Sequence, residues 1–354
     1  MSTAPDARIL ELFEIELPII QAPMAGATTP EMVIAVSDAG GLGSLPSAMY
    51  SPEQLRAALA VVVESARRSF NLNFFCHREP APDPVRQRAW RARLEPYYHE
   101  AGLALDASLV ATGRAPFNDE LCSIVEAYRP RVVSFHFGLP EASLLDRVKA
   151  TGAKVISSAT TVAEARWLVE HGVHAVIAMG AEAGGHRGNF LTHDMATQVG
   201  TLALVPQIVD AVAVPVIAAG GIADARGVAA ALALGAAAAQ VGTAYLLTPE
   251  AKISPLHRRA LMSSTAQETA ITNVFTGRPA RSIVNRLMRE VGPLSDLAPE
   301  FPTAGAALAP LRAKDEAGDF TNLWSGQAAP LARAMSAAEL TRALAMRIPA
   351  DWTR

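Results

Sequence analysis

The sequence predicts an α/β fold, a (β/α)8 TIM barrel with an additional helical segment at the C-terminus. Short apolar runs alternate with longer helical patterns along the chain. The runs are continuously apolar rather than alternating, as in strands buried on both faces of a parallel sheet. Eight such runs are present, the number that closes a barrel. With 354 residues, half of them hydrophobic, the chain is long enough to bury a core of this size.

The eight predicted strands are short, and most are separated by a stretch with helical character. They cover residues 19–22, 41–45, 70–75, 132–136, 154–158, 175–179, 215–219 and 237–241. Helix signals lie between them: Thr161 is followed three residues later by Glu164, which predicts a capping box, and Gly172 marks the end of that helix. Pro30, Pro52 and Pro140 stand where helices begin.

The barrel does not account for the whole chain. Residues 78–128 are charged, contain prolines and are too long for one crossover helix, so extra helices or a lobe are expected there. More than a hundred residues follow the eighth strand, too many for one closing helix. We therefore predict a barrel over residues 1–250, with an insertion around 78–128, and a helical extension over 251–354 that packs on the barrel.

Composition favours a small-molecule partner. The 31 basic and 34 acidic residues give a net charge of −3 without long runs of one sign, so no nucleic-acid or membrane-surface footprint is present. Neither Cys76 nor Cys122 belongs to a metal-ligand or disulfide pattern, and no metal site is expected. The first residues lack the features of a secretory signal, which makes the cytoplasm the expected compartment.

The loop at residues 180–188 (GAEAGGHRG) is the strongest functional signal. It follows the sixth strand, at the barrel face where such folds bind substrates. Glycines let the main chain approach a ligand closely, and histidine has an ordinary pKa of about 6.5, suited to proton transfer. A Gly-Gly pair can equally be a simple turn and a histidine a hydrogen-bonded boundary residue. The position favours His186 as an active-site base beside a cofactor.

Other polar or glycine residues follow the remaining strands at the same face. Gly220 and Gly221 follow strand seven, and Gly242 and Thr243 follow strand eight, where barrels commonly bind a phosphate. No dinucleotide-binding glycine motif, P-loop or nucleophile elbow is present. A phosphate-bearing cofactor on a barrel without those motifs indicates flavin mononucleotide (FMN).

Five segments together resemble the nitronate monooxygenase family, formerly called 2-nitropropane dioxygenases. They are residues 18–24 (PIIQAPM), 180–188, 218–222 (AAGGI), 240–243 (QVGT) and 275–281 (FTGRPAR), and the resemblance covers almost the whole chain. It implies an FMN-dependent barrel that oxidises alkyl nitronates, and sometimes nitroalkanes, with O2 to carbonyl compounds and nitrite. The implied partners are therefore a small-molecule nitronate or nitroalkane and O2, and the protein is expected to be a monomer or homodimer.

The resemblance also implies roles for particular residues. His186 is the implied base. The implied FMN contacts are Gln21, Ala22, Pro23, Met24, Asn73, Met179, Gly184, Gly185, Gly220, Gly221, Gln240, Val241, Gly242 and Thr243. His136 is either a substrate contact or a packed residue at a strand end, and Arg278 and Arg281 either shape the site or are simply paired or solvated.

Two departures from the family pattern bear on the site, the first on a polar contact to the flavin and the second on substrate choice. Met179 stands where relatives usually have Gln, and residues 322–328 (NLWSGQA) replace a segment from which several relatives supply tyrosines and a lysine. Two alternative functions remain. One is a flavin-dependent enoyl-acyl carrier protein reductase, or another NAD(P)H-dependent flavin reductase, which shares the EAGGH loop. Arg187 and residues 277–281 favour the monooxygenase over it. The other is a flavin-binding barrel without turnover, against which His186 argues.

Overall fold

The computed structural model describes residues 6–105 and 114–348, and within these ranges strands and helices alternate. The strands are β1 (Ile19–Gln21), β2 (Gly43–Pro46), β3 (Phe70–Phe75), β4 (Val132–His136), β5 (Lys154–Ala159), β6 (Ala175–Met179), β7 (Gly185–His186), β8 (Val216–Ala219), β9 (Ala238–Val241), β10 (Thr269–Thr272) and β11 (Ala280–Ile283).

Most of the helices flank the barrel strands. They are α1 (Arg8–Phe13), α2 (Pro30–Asp38), α3 (Pro52–Ser65), α4 (Pro84–Glu100), α5 (Asp119–Tyr128), α6 (Ala142–Ala150), α7 (Val162–Glu170), α8 (Thr201–Ala211), α9 (Ala225–Ala233), α10 (Pro255–Met262), α11 (Arg286–Glu290), α12 (Ala309–Ala313) and α13 (Ala337–Ala345). Short 3-10 turns cover Met195–Thr197, Thr243–Leu247, Ser264–Gln267, Thr303–Leu308 and Ala329–Leu331.

Eight parallel strands form the barrel, in the order β1-β9-β8-β6-β5-β4-β3-β2. A single parallel bridge between Ile20 and Leu42 joins β1 to β2 and brings the two ends of the sheet together. The predicted TIM barrel and its eight strands are confirmed. The largest difference in a boundary is at β2, which begins at Gly43 rather than at residue 41.

The packing of the core closes one end of the barrel and leaves the other end open. Aliphatic side chains from the strands fill the interior together with Ile9, Leu10 and Phe13 of α1. Helix α1 meets Val132 and Ala175, the first residues of their strands, so it closes the N-terminal end. A second apolar layer lies between the strands and the outer helices. The open end is therefore the carboxyl end of the strands.

The region around residues 78–128 contains two described helices with different neighbours, and residues 106–113 lie outside the description. Helix α5 packs on α3 and α6 as part of the barrel wall. Helix α4 instead packs on the C-terminal segment, where Trp90 Nε1 donates to the main-chain oxygen of Ala304 at 3.1 Å. The insertion and the C-terminal segment thus share a second apolar core.

The C-terminal region contains a small sheet as well as helices. Strands β10 and β11 are antiparallel, and β11 pairs with β7, so the sheet includes His186 opposite Ala280. These strands have two to four residues, too few to show an alternating pattern. Helix α13 returns to the barrel wall and packs on α2 and α9. The division of the chain at residue 250 into barrel and extension stays a prediction.

Within the described ranges, no helix is long and apolar enough to cross a bilayer, and no group of three or more His, Cys, Asp or Glu side chains is placed to hold a metal. Cys76 and Cys122 are both free thiols. Residues 1–5, part of the segment inspected for a secretory signal, lie outside the description.

Candidate active site

A cavity of about 380 Å³ lies at the carboxyl ends of the barrel strands. Its wall is built by loops after the strands together with residues 322–328 of the C-terminal segment. Fourteen of the sequence-predicted site residues line it: Ala22, Pro23, Met24, Asn73, His136, Met179, Gly184, Gly185, His186, Gly220, Gly221, Gln240, Gly242 and Thr243.

Gln21 and Val241 do not line this cavity. The side chain of Gln21 is fully buried beside β2, where its Oε1 accepts from the main-chain N–H of Ser44 at 2.9 Å and its Nε2 donates to Thr28 Oγ1 at 3.1 Å. Val241 packs in the layer between strands and helices. Successive side chains of a strand point to opposite faces, so adjacent members of a motif cannot all face one ligand.

His186 lies on β7 and is enclosed by aromatic rings. The centroid of its ring is 5.2 Å from that of Phe301 and 5.3 Å from that of Trp324. Its Nε2 is 3.0 Å from Thr276 Oγ1, and that hydroxyl lies 3.4 Å from the main-chain oxygen of Arg278. A Thr276 hydroxyl that donates to this carbonyl accepts from Nε2–H, and in that tautomer the lone pair of the imidazole is on Nδ1.

The surroundings of His186 keep the imidazole neutral. Burial, followed by the charge of Arg114, the neighbouring His136 and then the charge of Arg278, lowers the pKa of His186 well below its ordinary value. A neutral imidazole with a free Nδ1 is the form that accepts a proton. It is not the form that attracts an anion.

His136 uses both ring nitrogens within the protein. Its Nδ1 is 2.6 Å from Ser158 Oγ, and its Nε2 is 3.2 Å from the main-chain oxygen of His186. A carbonyl only accepts, so Nε2 carries the proton and Ser158 donates to Nδ1. Burial and the charge of Arg278 lower the pKa of His136 to about 3, which keeps this network neutral.

Arg187 connects the loop to the end of β6. Its fully buried guanidinium donates to the main-chain oxygens of Met179 at 2.9 Å and Gly180 at 2.8 Å, and to Gln198 Oε1 at 2.8 Å. From the sequence, Arg187 served only to distinguish two families, and its hydrogen bonds to the end of β6 were not predicted. The position of an arginine directly after the histidine of a glycine-rich loop could have indicated them.

The capping box predicted at Thr161 is only half formed. Thr161 accepts from the main-chain N–H of Glu164 at 3.1 Å. The buried carboxylate of Glu164 instead accepts from Thr160, at 2.7 Å from its N–H and 2.8 Å from its hydroxyl, and from the N–H of Phe190 at 2.6 Å. The helix start is thereby joined to the segment that follows His186.

The three arginines near the site differ in their access to the cavity. Arg278 stacks on Phe137, with its Cζ 3.9 Å from the ring centroid, and Arg281 donates from Nε to the main-chain oxygen of Ala181 at 2.8 Å. Neither lines the cavity. Arg114 does line it. Sequence reasoning missed Arg114 because it lies in the long insertion, whose path no periodicity predicted.

The C-terminal segment contributes Asn322, Trp324, Gly326 and Ala328 to the cavity wall. Its position is fixed by main-chain hydrogen bonds: Gly326 N–H donates to Thr243 Oγ1 at 2.9 Å, and Gln327 N–H donates to the oxygen of Glu182 at 3.0 Å. Trp324 thus forms part of the cavity wall next to His186.

Comparison with known proteins agrees with this geometry. The family model described as nitronate monooxygenase matches residues 6–346. A nitronate monooxygenase of Pseudomonas aeruginosa is 41% identical, over 95% of this chain and 97% of that protein. A nitroalkane oxidase from Streptomyces ansochromogenes superposes with a TM-score of 0.85 at 36% identity, covering 95% of this chain and 96% of that one. FabK from Thermotoga maritima superposes with a TM-score of 0.72 at 29% identity, covering 97% and 95%. The chain belongs to the nitronate monooxygenase family and is an oxidoreductase.

Proposed function

We propose that this protein binds FMN and oxidises alkyl nitronates, and neutral nitroalkanes, with O2 to carbonyl compounds and nitrite, using His186 as the base. The observation that carries the proposal is a neutral His186 whose Nδ1 forms no hydrogen bond within the described residues, in the wall of a cavity at the catalytic face of a barrel. Family membership supports the substrate class.

The cavity wall suits a flavin in its polar groups. Gln240 Oε1, at the end of β9, is buried and has no hydrogen-bond partner among the described residues. A buried acceptor without a partner costs about 1–3 kcal/mol, so a ligand that donates a hydrogen bond there is stabilising. Asn73, on β3, lines the same cavity, and its Nδ2 lies 2.9 Å from Ser134 Oγ.

The glycines after β8 and β9 suit a phosphate. Gly220 and Gly221 have φ of 109° and 71°, a left-handed region that side chains disfavour. A Cβ at Gly242 would meet only Ala22 and Met24, at 3.4 and 3.7 Å, so the protein itself leaves space on that side. Main-chain N–H groups exposed in such turns bind phosphate oxygens.

In the proposed reaction, the flavin, His186 and the aromatic rings around His186 have different roles. The flavin supplies the electron transfer from the nitronate and the reaction with O2. His186 Nδ1 removes the proton next to the nitro group of a neutral nitroalkane, whereas a preformed nitronate lacks that proton. The aromatic rings around His186 exclude water from the site.

Oxygen uptake by the purified yellow protein, with an alkyl nitronate and no nicotinamide, tests the proposal. We expect rapid uptake with nitrite release. No uptake with nitronate, but flavin reduction on adding NADH or NADPH, would favour the reductase hypothesis. Retained flavin that reacts with neither would favour a flavin-binding barrel without turnover. The cytoplasmic location and the monomeric or dimeric state stay predictions.

A further inference from the structure

Charged side chains are few in the cavity wall. Apart from histidines, the acidic or basic residues among the described residues that line it are Arg114, Glu182 and Lys252. The carboxylate of Glu182 is turned onto helix α8, where it accepts from the Thr201 N–H at 2.8 Å and from its hydroxyl at 2.8 Å. Lys252 is exposed. Of the two cations, Arg114 is partly buried and Lys252 is not.

Arg114 lies on the same side of the cavity as His186. Both flank Phe301: the Arg114 Cζ is 5.8 Å from the centroid of that ring, and the His186 ring is 5.2 Å from it. Within the described residues, Arg114 forms no hydrogen bond or ion pair with a protein group. Because burying a charge is costly unless the charge is paired, an anion in the cavity would stabilise this guanidinium.

Most of the described groups around Arg114 and His186 are cationic or neutral. Arg278 and Arg312 are cations that donate to main-chain oxygens, Arg278 to Asn189 and Arg312 to Phe275 at 3.3 Å. The imidazoles of His77 and His136 are neutral because burial lowers their pKa values to about 4 and about 3. The buried carboxylate of Glu164 accepts from Thr160 and Phe190 and forms no ion pair. This side of the cavity therefore favours a negatively charged ligand.

We propose that Arg114 binds the anionic nitronate group of the substrate, an assignment that rests on the proposed function. A nitronate spreads its negative charge over two oxygens, and the planar guanidinium presents paired N–H donors that match two such oxygens. His186 acts as the base, and Arg114 supplies the charge that a neutral imidazole lacks. Arg114 thereby determines the preference for nitronate over uncharged compounds of the same size.

Two measurements on purified holoprotein test this assignment in Arg114→Met and Arg114→Lys. The first is the KM for a preformed alkyl nitronate, and the second is the Kd for nitrite from the change in flavin absorbance. We expect both to rise about tenfold or more in Arg114→Met, because a charge-assisted hydrogen bond is lost, with partial recovery in Arg114→Lys. Flavin content should be unchanged. Arg78→Met, an exposed arginine outside the cavity wall, is the matched control and should change neither value.

Lys252→Met tests the rival cation. If Lys252→Met weakens nitronate and nitrite binding while Arg114→Met does not, the assignment is overturned. Equal KM and equal nitrite affinity in wild type and Arg114→Met, including no nitrite binding by either, would overturn it as well. If the wild type oxidises no nitronate, the proposed function fails by itself, and the nitrite titration still decides whether Arg114 binds an anion.

Discussion

The Nε2 atom of His136 lies 3.2 Å from the main-chain oxygen of His186. A side chain at the end of β4 therefore donates to the main chain of the residue that we propose as the base. Ser158, at the end of β5, holds the other ring nitrogen at 2.6 Å. The ends of β4 and β5 thus hold the main chain of His186 in place, and His136 acts as a positioning residue.

Removing the Ser158 hydroxyl should loosen this arrangement without removing the base. In Ser158→Ala, Nδ1 of His136 loses its donor, so the ring is no longer fixed. We expect kcat with a neutral nitroalkane to fall roughly tenfold, as for a lost hydrogen bond of about 1.5 kcal/mol, at unchanged flavin content. Ser157→Ala is the control, because its hydroxyl contacts the oxygens of Phe135 and Gly138 instead. An equal loss in both variants would contradict the positioning role.

Arg187 should contribute strongly to stability. Replacing it by Met removes the donor to the Met179 oxygen and to Gln198 Oε1, whereas the Gly180 oxygen keeps the Ala183 N–H at 3.1 Å. Unpaired buried acceptors cost about 1–3 kcal/mol each, so we expect the free energy of unfolding to fall by about 2–5 kcal/mol in urea titrations. Arg226→Met, which breaks an exposed pair with Asp224, should change it by about 1 kcal/mol or less. Similar losses in the two variants would refute this prediction.

Gly242→Ala should reduce flavin binding without changing the stability of the flavin-free protein. The added methyl group would contact Ala22 and Met24 at ordinary distances, and the φ of Gly242, −113°, lies outside the left-handed region that disfavours alanine. The melting temperature of the flavin-free protein should therefore be unchanged. If the main chain here approaches the phosphate, flavin content after purification should drop markedly. Full flavin occupancy in the variant would show that the phosphate lies elsewhere.

His77 should make the protein sensitive to acid. Both of its ring nitrogens are buried without a partner among the described residues, and burial lowers its pKa from 6.5 to about 4. Below pH 6.5 the unfolded chain takes up a proton that the folded protein does not, so stability is lost as the pH falls from about 6.5 to 4. In His77→Leu the slope of unfolding free energy against pH should be smaller by about 1.4 kcal/mol per unit in this window. An unchanged slope would contradict the buried neutral imidazole.

Much of the barrel could be predicted from the sequence, because strands buried on both faces are continuous apolar runs. The predicted strands 132–136 and 175–179 have the same first and last residues as the observed strands β4 and β6. The small sheet of β7, β10 and β11 could not be predicted, because its strands have two to four residues and because β7 pairs with β11 over more than eighty residues of chain. The position of His186 opposite Ala280 depends on that pairing.

In the site, too, residues at strand ends could be predicted, whereas residues placed by long-range folding could not. Glycines and polar residues after strands were predicted at the cavity and are found there, since the topology brings all strand ends to one face. Gln21 was expected at the cofactor from its motif, but strand alternation turns its side chain toward Ser44. Arg114 carried no signal in the sequence, because only the folded insertion brings it beside Phe301.

Comparing His186→Asn with wild type on a neutral nitroalkane and on its preformed nitronate tests the central claim most directly. Both proteins should hold flavin equally. If His186 is the base, oxidation of the nitroalkane should fall far more than oxidation of the nitronate, which has no proton to lose. Equal or negligible effects on the two substrates would contradict the account.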